Sequence, residues 1–480
     1  MNLEIKKICC IGAGYVGGPT MSVIADRCPH INVHVVDSNK DRIDLWNSDD
    51  LEKLPIFEPK LDEIIKRCRD KNLFFSSFIE KNIASADMIF ISVNTPTKKK
   101  GLGAGEASDL RYVEACARQV ARHAKGHTIV VEKSTLPVKT AEVIKKILED
   151  SQPIDKNQKK TFDVLSNPEF LSEGSAIVDL ESPDRILIGG ESKKAIMALD
   201  QIYQNWVPSN KILHTNIWSS ELAKLTANAF LAQRISSINA IGALCEATGA
   251  DVREVSRGIG SDSRIGSKFL DAGPGFGGSC FKKDILNLVY LSKYFGLPEV
   301  GAFWEEVVKL NDWHQHRISK LIIKKLFGTI SGKKIAILGF AFKANTNDTR
   351  ESASITICKD LLDEGAFLAI NDPKVDPEQI SIDLGSKPIN FIEETNNKVF
   401  TISEGDWYFS KNINDVTKNA DAVVVLTEWQ EYANLEWSLI AKAMRNPSWI
   451  FDARSILKPE KVKACELNFW RIGDGFNAKQ

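Results

Sequence analysis

The feature that most constrains the fold lies near the start of the chain. A short apolar run, Lys6 to Ile11, meets Gly12-Ala13-Gly14-Tyr15-Val16-Gly17-Gly18, and a helical pattern then continues through Ala25. Glycines 12, 14 and 17 make G-x-G-x-x-G, a weak signal alone but here set between a strand and a helix, as the fingerprint requires. The first glycine makes the turn, the second admits a pyrophosphate, and the third lets helix and strand pack. A second strand pattern, Ile31 to Val36, ends in Asp37, 20 residues after Gly17. A carboxylate there accepts the ribose hydroxyls of NAD and repels the 2′-phosphate of NADP. Arg42, five residues on, could instead attract that phosphate, but Asp37 argues for NAD and leaves Arg42 to flank the adenine. Asp37 as a mere turn or capping residue would leave the ordered strand, glycine, helix and strand series unexplained.

Further strand-and-helix units follow. Met88 to Val93 runs into Asn94-Thr95-Pro96-Thr97, and Ile129 to Val131 opens into Glu132-Lys133-Ser134-Thr135-Leu136-Pro137. Ligands of open parallel sheets bind at such strand ends. Between them, Lys98 to Gly103 reads as a solvated, mobile loop. Phe162 to Leu165 leads into Ser166-Asn167-Pro168-Glu169-Phe170-Leu171-Ser172-Glu173-Gly174. Glu169 and Glu173 are four apart, so on a helical turn they would share one face. At Lys333 the pattern restarts, with strands at Lys334 to Leu338, Phe367 to Ile370, Ala422 to Leu426 and Trp449 to Phe451, and a helix at Ser354 to Leu362. This second Rossmann-like unit lacks the second and third fingerprint glycines and need not bind a dinucleotide. The stretch from Gly385 to Asp415 gives no clear pattern. The reading is α/β: a Rossmann-like domain over 1–218, a helical region over 219–328, and a second doubly wound domain over 329–480.

In the middle region, Gly273-Pro-Gly-Phe-Gly-Gly-Ser-Cys-Phe-Lys-Lys-Asp284 places four glycines within six residues, a composition that allows sharp turns and close backbone approach. Cys280 ends this loop where a helical run begins, and a helix N-terminus favours the thiolate, the nucleophilic form. A buried structural cysteine is the commoner reading of such a residue. The glycine loop, the cations that follow and Asp284 make Cys280 the candidate nucleophile. From Ser219 to about Thr248 a long helical pattern carries Lys224 and Asn228 one turn apart, and the alanines and leucine flanking Lys224 point to a buried functional amine rather than a snorkelling one.

With 62 basic and 63 acidic residues and a net charge of −1, no global field draws the chain to nucleic acid or an anionic membrane. No apolar run has the length of a spanning helix. The first residues lack a signal-peptide apolar region, and the nine scattered cysteines contain no C-x-x-C pair, which fits reduced thiols and a cytoplasmic location. No metal site is expected.

The chain resembles the UDP-glucose/GDP-mannose dehydrogenase family, and within it the long eukaryotic UDP-glucose dehydrogenases. The resemblance runs from Lys7 to about Gly473. Its most specific motifs are Gly275-Phe276-Gly277-Gly278-Ser279-Cys280-Phe281 and Ser166-Asn167-Pro168-Glu169-Phe170-Leu171, with Phe230-Leu231-Ala232-Gln233-Arg234-Ile235-Ser236-Ser237 nearly as strong. It implies NAD-binding and UDP-sugar-binding domains joined by a long central helix, and homo-oligomers built from dimers, with a hexamer as the expected assembly. It also implies oxidation of the C6 alcohol of UDP-glucose to the carboxylate of UDP-glucuronate with two NAD⁺.

By that resemblance Cys280 is the nucleophile, Lys224 stabilises the developing oxyanion and Glu169 handles protons on the sugar side. Asp284 and Thr135 would orient and deprotonate the hydrolytic water, and Asn228 would hydrogen-bond the substrate. The cofactor set implied is Gly12 to Gly17 with Ala13, Gly14, Tyr15 and Val16, then Asp37 and Arg42. Val93, Asn94, Thr95, Pro96 and Thr97 follow, with Ser134, Thr135, Glu173, Lys283 and Arg350. The substrate set adds Phe170, Leu171 and Glu173 to Glu169, Lys224 and Asn228. Asp271, Gly275, Phe276 and Gly277 would cradle the sugar diphosphate, and Phe342, Lys343 and Arg454 would hold the nucleotide. Arg264 resembles an arginine that reaches a neighbouring subunit's substrate.

The residues suit that chemistry. An aldehyde has no hydride to give until something adds to it; a thiolate adds, and the thiohemiacetal again carries a transferable hydrogen. The sequence departs from the long-type pattern at Ala272-Gly273-Pro274, at Ala344-Asn345 and at Ala453, none of which replaces Cys280, Lys224, Glu169 or Asp284. Three alternatives stand beside this reading. They are a dehydrogenase of UDP-N-acetylmannosamine or GDP-mannose, a non-catalytic nucleotide-sugar sensor on the same fold, and a plain alcohol reductase, which leaves the cysteine loop without a role.

Overall fold

Near-continuous apolar strands separated by helices can bury both faces only in a parallel sheet covered on each side. The computed structural model describes residues 3–151, 160–389 and 405–477. It divides into two compact units, one made of Met1–Ala227 with Lys283–Gly301, the other of Asn228–Lys282 with Ala302–Gln480. The helical stretch read as a region of its own is thus divided between them. Its two long helices, Ile217–Thr248 and Pro298–Lys325, each contribute residues to both units.

The first unit holds strands β1 (Lys7–Ile11), β2 (Asn32–Val36), β3 (Leu73–Ser76), β4 (Met88–Ile91), β5 (His127–Glu132), β6 (Thr161–Ser166), β7 (Ile186–Gly190) and β8 (Ile212–Thr215). Their order is β3-β2-β1-β4-β5-β6-β7-β8. All neighbours are parallel except β6 and β7, which pair antiparallel through Leu165–Gly190 and Ser166–Gly189. The strand order reverses between β1 and β4, which opens a ligand crevice at their carboxyl ends. Strand alternation assigns the two faces. Ile8 and Cys10 join the core on one side, whereas Cys9 and Ile11 join the core on the other.

The second unit holds β9 (Lys334–Leu338), β10 (Phe367–Asn371), β11 (Asp406–Phe409), β12 (Ala422–Val425), β13 (Trp449–Asp452) and β14 (Asn468–Arg471). The order β11-β10-β9-β12-β13-β14 is parallel throughout. Its core is continuous from Ile335–Leu338 through Val423–Val425 to Phe451 and Trp470.

One sequence expectation changes. Glu169 and Glu173 lie on no helical turn: the stretch after β6 is irregular until helix Ala176–Glu181, with Gly174 at φ 82°. The Glu169 carboxylate accepts from Leu171 N at 2.9 Å, a local bond that holds the chain in this irregular course. Lys98–Gly103 is a loop, exposed over Lys99–Leu102 as expected, and its turn is closed by Lys98 N to Ala107 O (2.8 Å) and Gly105 N to Lys98 O (2.8 Å). Short strands β3, β7, β8, β11 and β14 complete the sheets where the sequence pattern had not been read. Among the described residues no helix is long and apolar enough to cross a membrane, and no cluster of His, Cys, Asp and Glu could hold a metal ion.

Candidate active site

The dinucleotide cradle is built in the first unit. Helix Gly17–Arg27 starts at the last fingerprint glycine, and a Cβ on Gly17 would collide with the Gly12 carbonyl. Gly14 is different: nothing lies within 4 Å of where its Cβ would stand, so its backbone faces open space at the helix N-terminus. That opening is what a pyrophosphate needs. Asp37, after β2, accepts from Ala13 N at 2.9 Å and Asn39 N at 2.9 Å, and pairs with Arg42 at 3.2 Å. The expected adenine-flanking Arg42 is therefore tied to the carboxylate itself. Tyr15 packs half-buried against the core, and Val16 is the N-cap of the helix. These features fit NAD.

At the ends of β4 and β5 the two loops are bound together. Thr95 Oγ1 donates to the Thr135 carbonyl at 3.0 Å, and Ser134 Oγ donates to the Val93 carbonyl at 2.7 Å. Asn94 lies between these anchors, Pro96 O accepts from Asp109 N at 2.7 Å, and Thr97 bridges to Ser108. Lys283 joins the cluster. Its ammonium is 3.4 Å from Thr95 Oγ1 and 2.9 Å from the carboxylate of Asp284, which is only 1% exposed in the first turn of helix Phe281–Tyr294.

The lysine and the carboxylate predicted as partners meet in the same unit. Lys224 Nζ lies 3.2 Å from Glu169 Oε1, both side chains almost wholly buried. Glu169 also accepts from Leu171 N at 2.9 Å, which fixes the irregular loop around it. Phe170 carries the Arg185 guanidinium at 3.9 Å on its ring and Lys224 at 5.4 Å. Glu58 holds the far end of the loop that bears Glu173, accepting from Gly174 N (2.7 Å) and Ala176 N (3.1 Å). One turn beyond Lys224, Asn228 is buried.

Sequence reasoning missed Lys133. It is buried, donates to Asn167 Oδ1 at 3.0 Å and stands 3.3 Å from Tyr203 OH. Burial pushes its ammonium down to about 8, with the Glu169 carboxylate opposing the shift. A lysine that follows a strand looks like any solvated residue in sequence, so no local signal reveals it.

The glycine loop belongs to the second unit, where three side chains from distant helices hold it. Asn239 accepts from Gly273 N at 2.9 Å, and His314 Nε2 meets the Gly273 carbonyl at 2.9 Å. Asn311 grips Phe276 from both sides, accepting from its N–H at 2.8 Å and donating to its carbonyl at 3.2 Å. None of these was expected from sequence. Gly275 packs against Asn311 and Gln315, and Gly278, at φ 84°, leaves no room for a Cβ, which would come within 2.9 Å of the Phe342 ring. Gly277 likewise lies against Phe342 and the Glu351 backbone. Asp271 opens the loop and is exposed. Cys280 closes it, partly exposed, with Ser279 Oγ 3.4 Å from its sulfur, and the helix begins at the next residue.

In the same unit Arg454 donates to the carbonyls of Leu426 (2.8 Å) and Phe342 (2.6 Å) and pairs with Glu428 at 3.1 Å. It is thereby aimed at the loop that bears Phe342 and Lys343. Ala453 has no positive φ, so alanine is accommodated there. Arg350 is bound to Asp348 at 2.6 Å, and its carbonyl accepts from Gly278 N at 2.8 Å. Arg264 is 87% exposed and bound to Asp262 at 2.6 Å. Asp372, after β10, resembles Asp37 in position, accepting from Phe340 N (2.7 Å) and Ala341 N (3.0 Å). It is 1% exposed and also receives Lys374 N, Val375 N and Trp429 Nε1. A carboxylate so saturated has no capacity left for a ribose.

Residues 6–207 match the NAD binding domain of the UDP-glucose/GDP-mannose dehydrogenase family, 218–313 its central domain and 336–459 its UDP binding domain. A UDP-glucose 6-dehydrogenase from Gallus gallus is 56% identical, over 99% of this chain and 95% of that protein. UDP-glucose 6-dehydrogenase 3 from Oryza sativa subsp. japonica is 52% identical, over 98% of each. Among solved structures, a UDP-glucose dehydrogenase from the archaeon Pyrobaculum islandicum superposes with a TM-score of 0.79 at 28% identity, covering 98% of both chains.

Proposed function

The chain belongs to the UDP-glucose/GDP-mannose dehydrogenase family, and from that premise we infer that it oxidises the C6 alcohol of UDP-glucose to the carboxylate of UDP-glucuronate. The observation that carries the substrate is the near full-length identity of 52–56% to relatives named for UDP-glucose. Gly12–Gly17, Asp37 and the Thr95 and Thr135 loops would hold NAD⁺, which supplies a hydride acceptor, one molecule for each of the two hydrides released.

The residues divide the remaining work by their chemistry. Lys224, an ammonium sealed from water beside Glu169, is suited to stabilise negative charge on the C6 oxygen. Glu169 is suited to exchange a proton with the substrate hydroxyl through its second, loop-bound oxygen. Cys280 attacks the aldehyde carbon, and the thiohemiacetal so formed carries a hydrogen that can leave as hydride. The thioester that remains is cleaved by water, for which Asp284 supplies the base with Thr135 beside it in the scheme. Asn311, Asn239 and His314 hold the loop whose backbone meets the diphosphate. Phe342, Lys343 and Arg454 take the nucleotide, and Arg264, free to swing outward from Asp262, reaches the site of a neighbouring copy in a homo-oligomer built from dimers. The enzyme acts in the cytoplasm, where its nine thiols stay reduced.

The test is absorbance-monitored NADH formation across a panel of UDP- and GDP-sugars. UDP-glucose should be the preferred substrate, with two NADH per acid formed. Preference for UDP-N-acetylmannosamine or GDP-mannose would replace the substrate, and binding of UDP-glucose without any NADH would leave a sensor.

A further inference from the structure

The first unit buries a second pair of acids that the chemistry above does not use. Glu132 ends β5, and Glu221 lies early in helix Ile217–Thr248; the two are 1% and 3% exposed. Their surroundings are unequal. Glu221 accepts from two backbone N–H groups, Lys139 N at 2.7 Å and Ala141 N at 2.8 Å. Those N–H groups open helix Thr140–Asp150, whose N-cap residue, Lys139, gives no side-chain cap and sits at φ 77°. Glu221 is therefore a cap supplied by another helix, in a place made for an anion.

Among the described residues, none donates an N–H or O–H to either oxygen of Glu132. Glu221 is brought beside it: Ser220, the residue before, donates to the carbonyl of Ser166, the register neighbour of Glu132, at 3.3 Å, and two carboxylates that meet can bond only if one of them carries a proton. Burial, and then the Glu221 anion, push the Glu132 carboxyl well above its ordinary range. Burial pushes Glu221 to about 7 despite its two backbone donors.

Among the described residues no cation is paired with either acid. The register neighbours of Glu132 are Ile91 and Ser166. Lys133 turns to Asn167, and Lys139 lies over the rings of Trp218 (5.7 Å) and Phe295 (6.0 Å). Lys145 pairs with Glu191 at 2.9 Å, and Glu142 adds only repulsion to Glu221. The pair also spans a functional segment: Glu132 immediately precedes Lys133–Val138, and the N–H groups held by Glu221 immediately follow it. That segment contains Ser134 and Thr135.

We propose that Glu132 and Glu221 share one proton and are positioning residues for the cofactor loop, the neutral–anionic pair clamping both ends of Lys133–Val138. Loss of that proton to solvent base in alkaline solution sets two buried anions against each other and releases the segment, weakening NAD binding. The consequence for NAD rests on the assignment of Ser134 and Thr135 to the cofactor site.

Infrared difference spectroscopy of the full-length protein reads the proton directly, without substrate. Wild type should show a neutral-carboxylic-acid carbonyl band near neutrality that titrates away by about two pH units higher. Glu132→Gln, which keeps a donor but cannot ionise, should lack the band, and so should the apolar Glu132→Met. In parallel, KM for NAD in wild type should rise several-fold over that pH range, whereas in Glu132→Gln it should stay near the neutral-pH value. A wild type without the band, or a band unchanged in both variants, overturns the shared proton. A Glu132→Gln profile superimposed on wild type overturns the positioning role. The band is independent of turnover, so a protein that shows it but oxidises no nucleotide sugar supports the pair and counts against the proposed activity alone.

Discussion

The ammonium of Lys224 stands 3.2 Å from a carboxylate oxygen of Glu169, and the two side chains are 4% and 5% exposed. Charges this deeply desolvated stabilise a fold little in net terms, because their attraction is offset by the loss of water. They are costly to separate, and they respond strongly to charge that develops beside them.

Lys224→Met should therefore have two separable effects. It leaves Glu169 buried without its cation, which should cost about 3–5 kcal/mol of stability. It also removes an oxyanion partner, which should lower kcat by roughly 10²–10³. The double variant Lys224→Met/Glu169→Gln should regain much of the lost melting temperature while staying inactive. Denaturation curves and NADH assays on the same preparations separate the two, and a double variant as active as wild type would remove both residues from the chemistry.

Asp37 should set cofactor preference. Its carboxylate is held by Ala13 N and Arg42, with little exposure, so it is oriented before any ligand arrives. Asp37→Ala should lower kcat/KM for NAD by about 1.5–3 kcal/mol, roughly 10- to 150-fold, the value of hydrogen bonds to a charged group. It also frees Arg42, so kcat/KM for NADP should rise relative to NAD. A wild-type enzyme faster with NADP would contradict the assignment.

Asn311 should act on substrate binding through the loop it grips. Asn311→Leu leaves the N–H and carbonyl of Phe276 without their partners in a buried place, a loss of about 1–3 kcal/mol. We expect KM for UDP-glucose to rise while KM for NAD changes little. Asn311→Asp keeps the acceptor and should fall between the two. Equal effects of Asn311→Leu on both KM values would make it a general packing residue.

These cases show which parts of the molecule the sequence could reveal. The glycine fingerprint, Asp37 and the cysteine loop were legible because each imposes a backbone requirement within a few residues. Burial of Lys224 was legible from the alanines and leucine around it. Asn239, Asn311 and His314 were not, because they reach the loop from helices 34 to 41 residues away in sequence. The Glu132–Glu221 pair is separated further still, and in sequence each acid resembles a solvated residue. The antiparallel β7 escaped notice because Ile186–Gly190 is short and ends in two glycines.

Arg264 should complete the site of another copy. Its side chain is 87% exposed and, among the described residues, is held by Asp262 alone, two residues away on the same turn. If it serves a neighbour, Arg264→Ala and Cys280→Ser should each be inactive alone yet regain activity when subunits are exchanged, since some sites then carry both groups. Exchanged mixtures inactive at every ratio would reject the shared site.

Cys280→Ser gives the sharpest test of the covalent route. Serine keeps the size and a hydroxyl, but without a strong base it is a far weaker nucleophile than a thiolate. Oxidation of the alcohol to the aldehyde requires a base and bound NAD⁺ but no sulfur, so the first hydride transfer should survive. The thiohemiacetal and thioester cannot form, and the second transfer has no hydrogen-bearing carbon attached to the protein. The variant should bind UDP-glucose and NAD⁺, release at most about one NADH per site and then stall. Wild type should release two NADH for each UDP-glucuronate. Rapid mixing with absorbance detection, together with quantified product, distinguishes these courses. A serine variant with near wild-type turnover and two NADH per product would exclude Cys280 as the nucleophile.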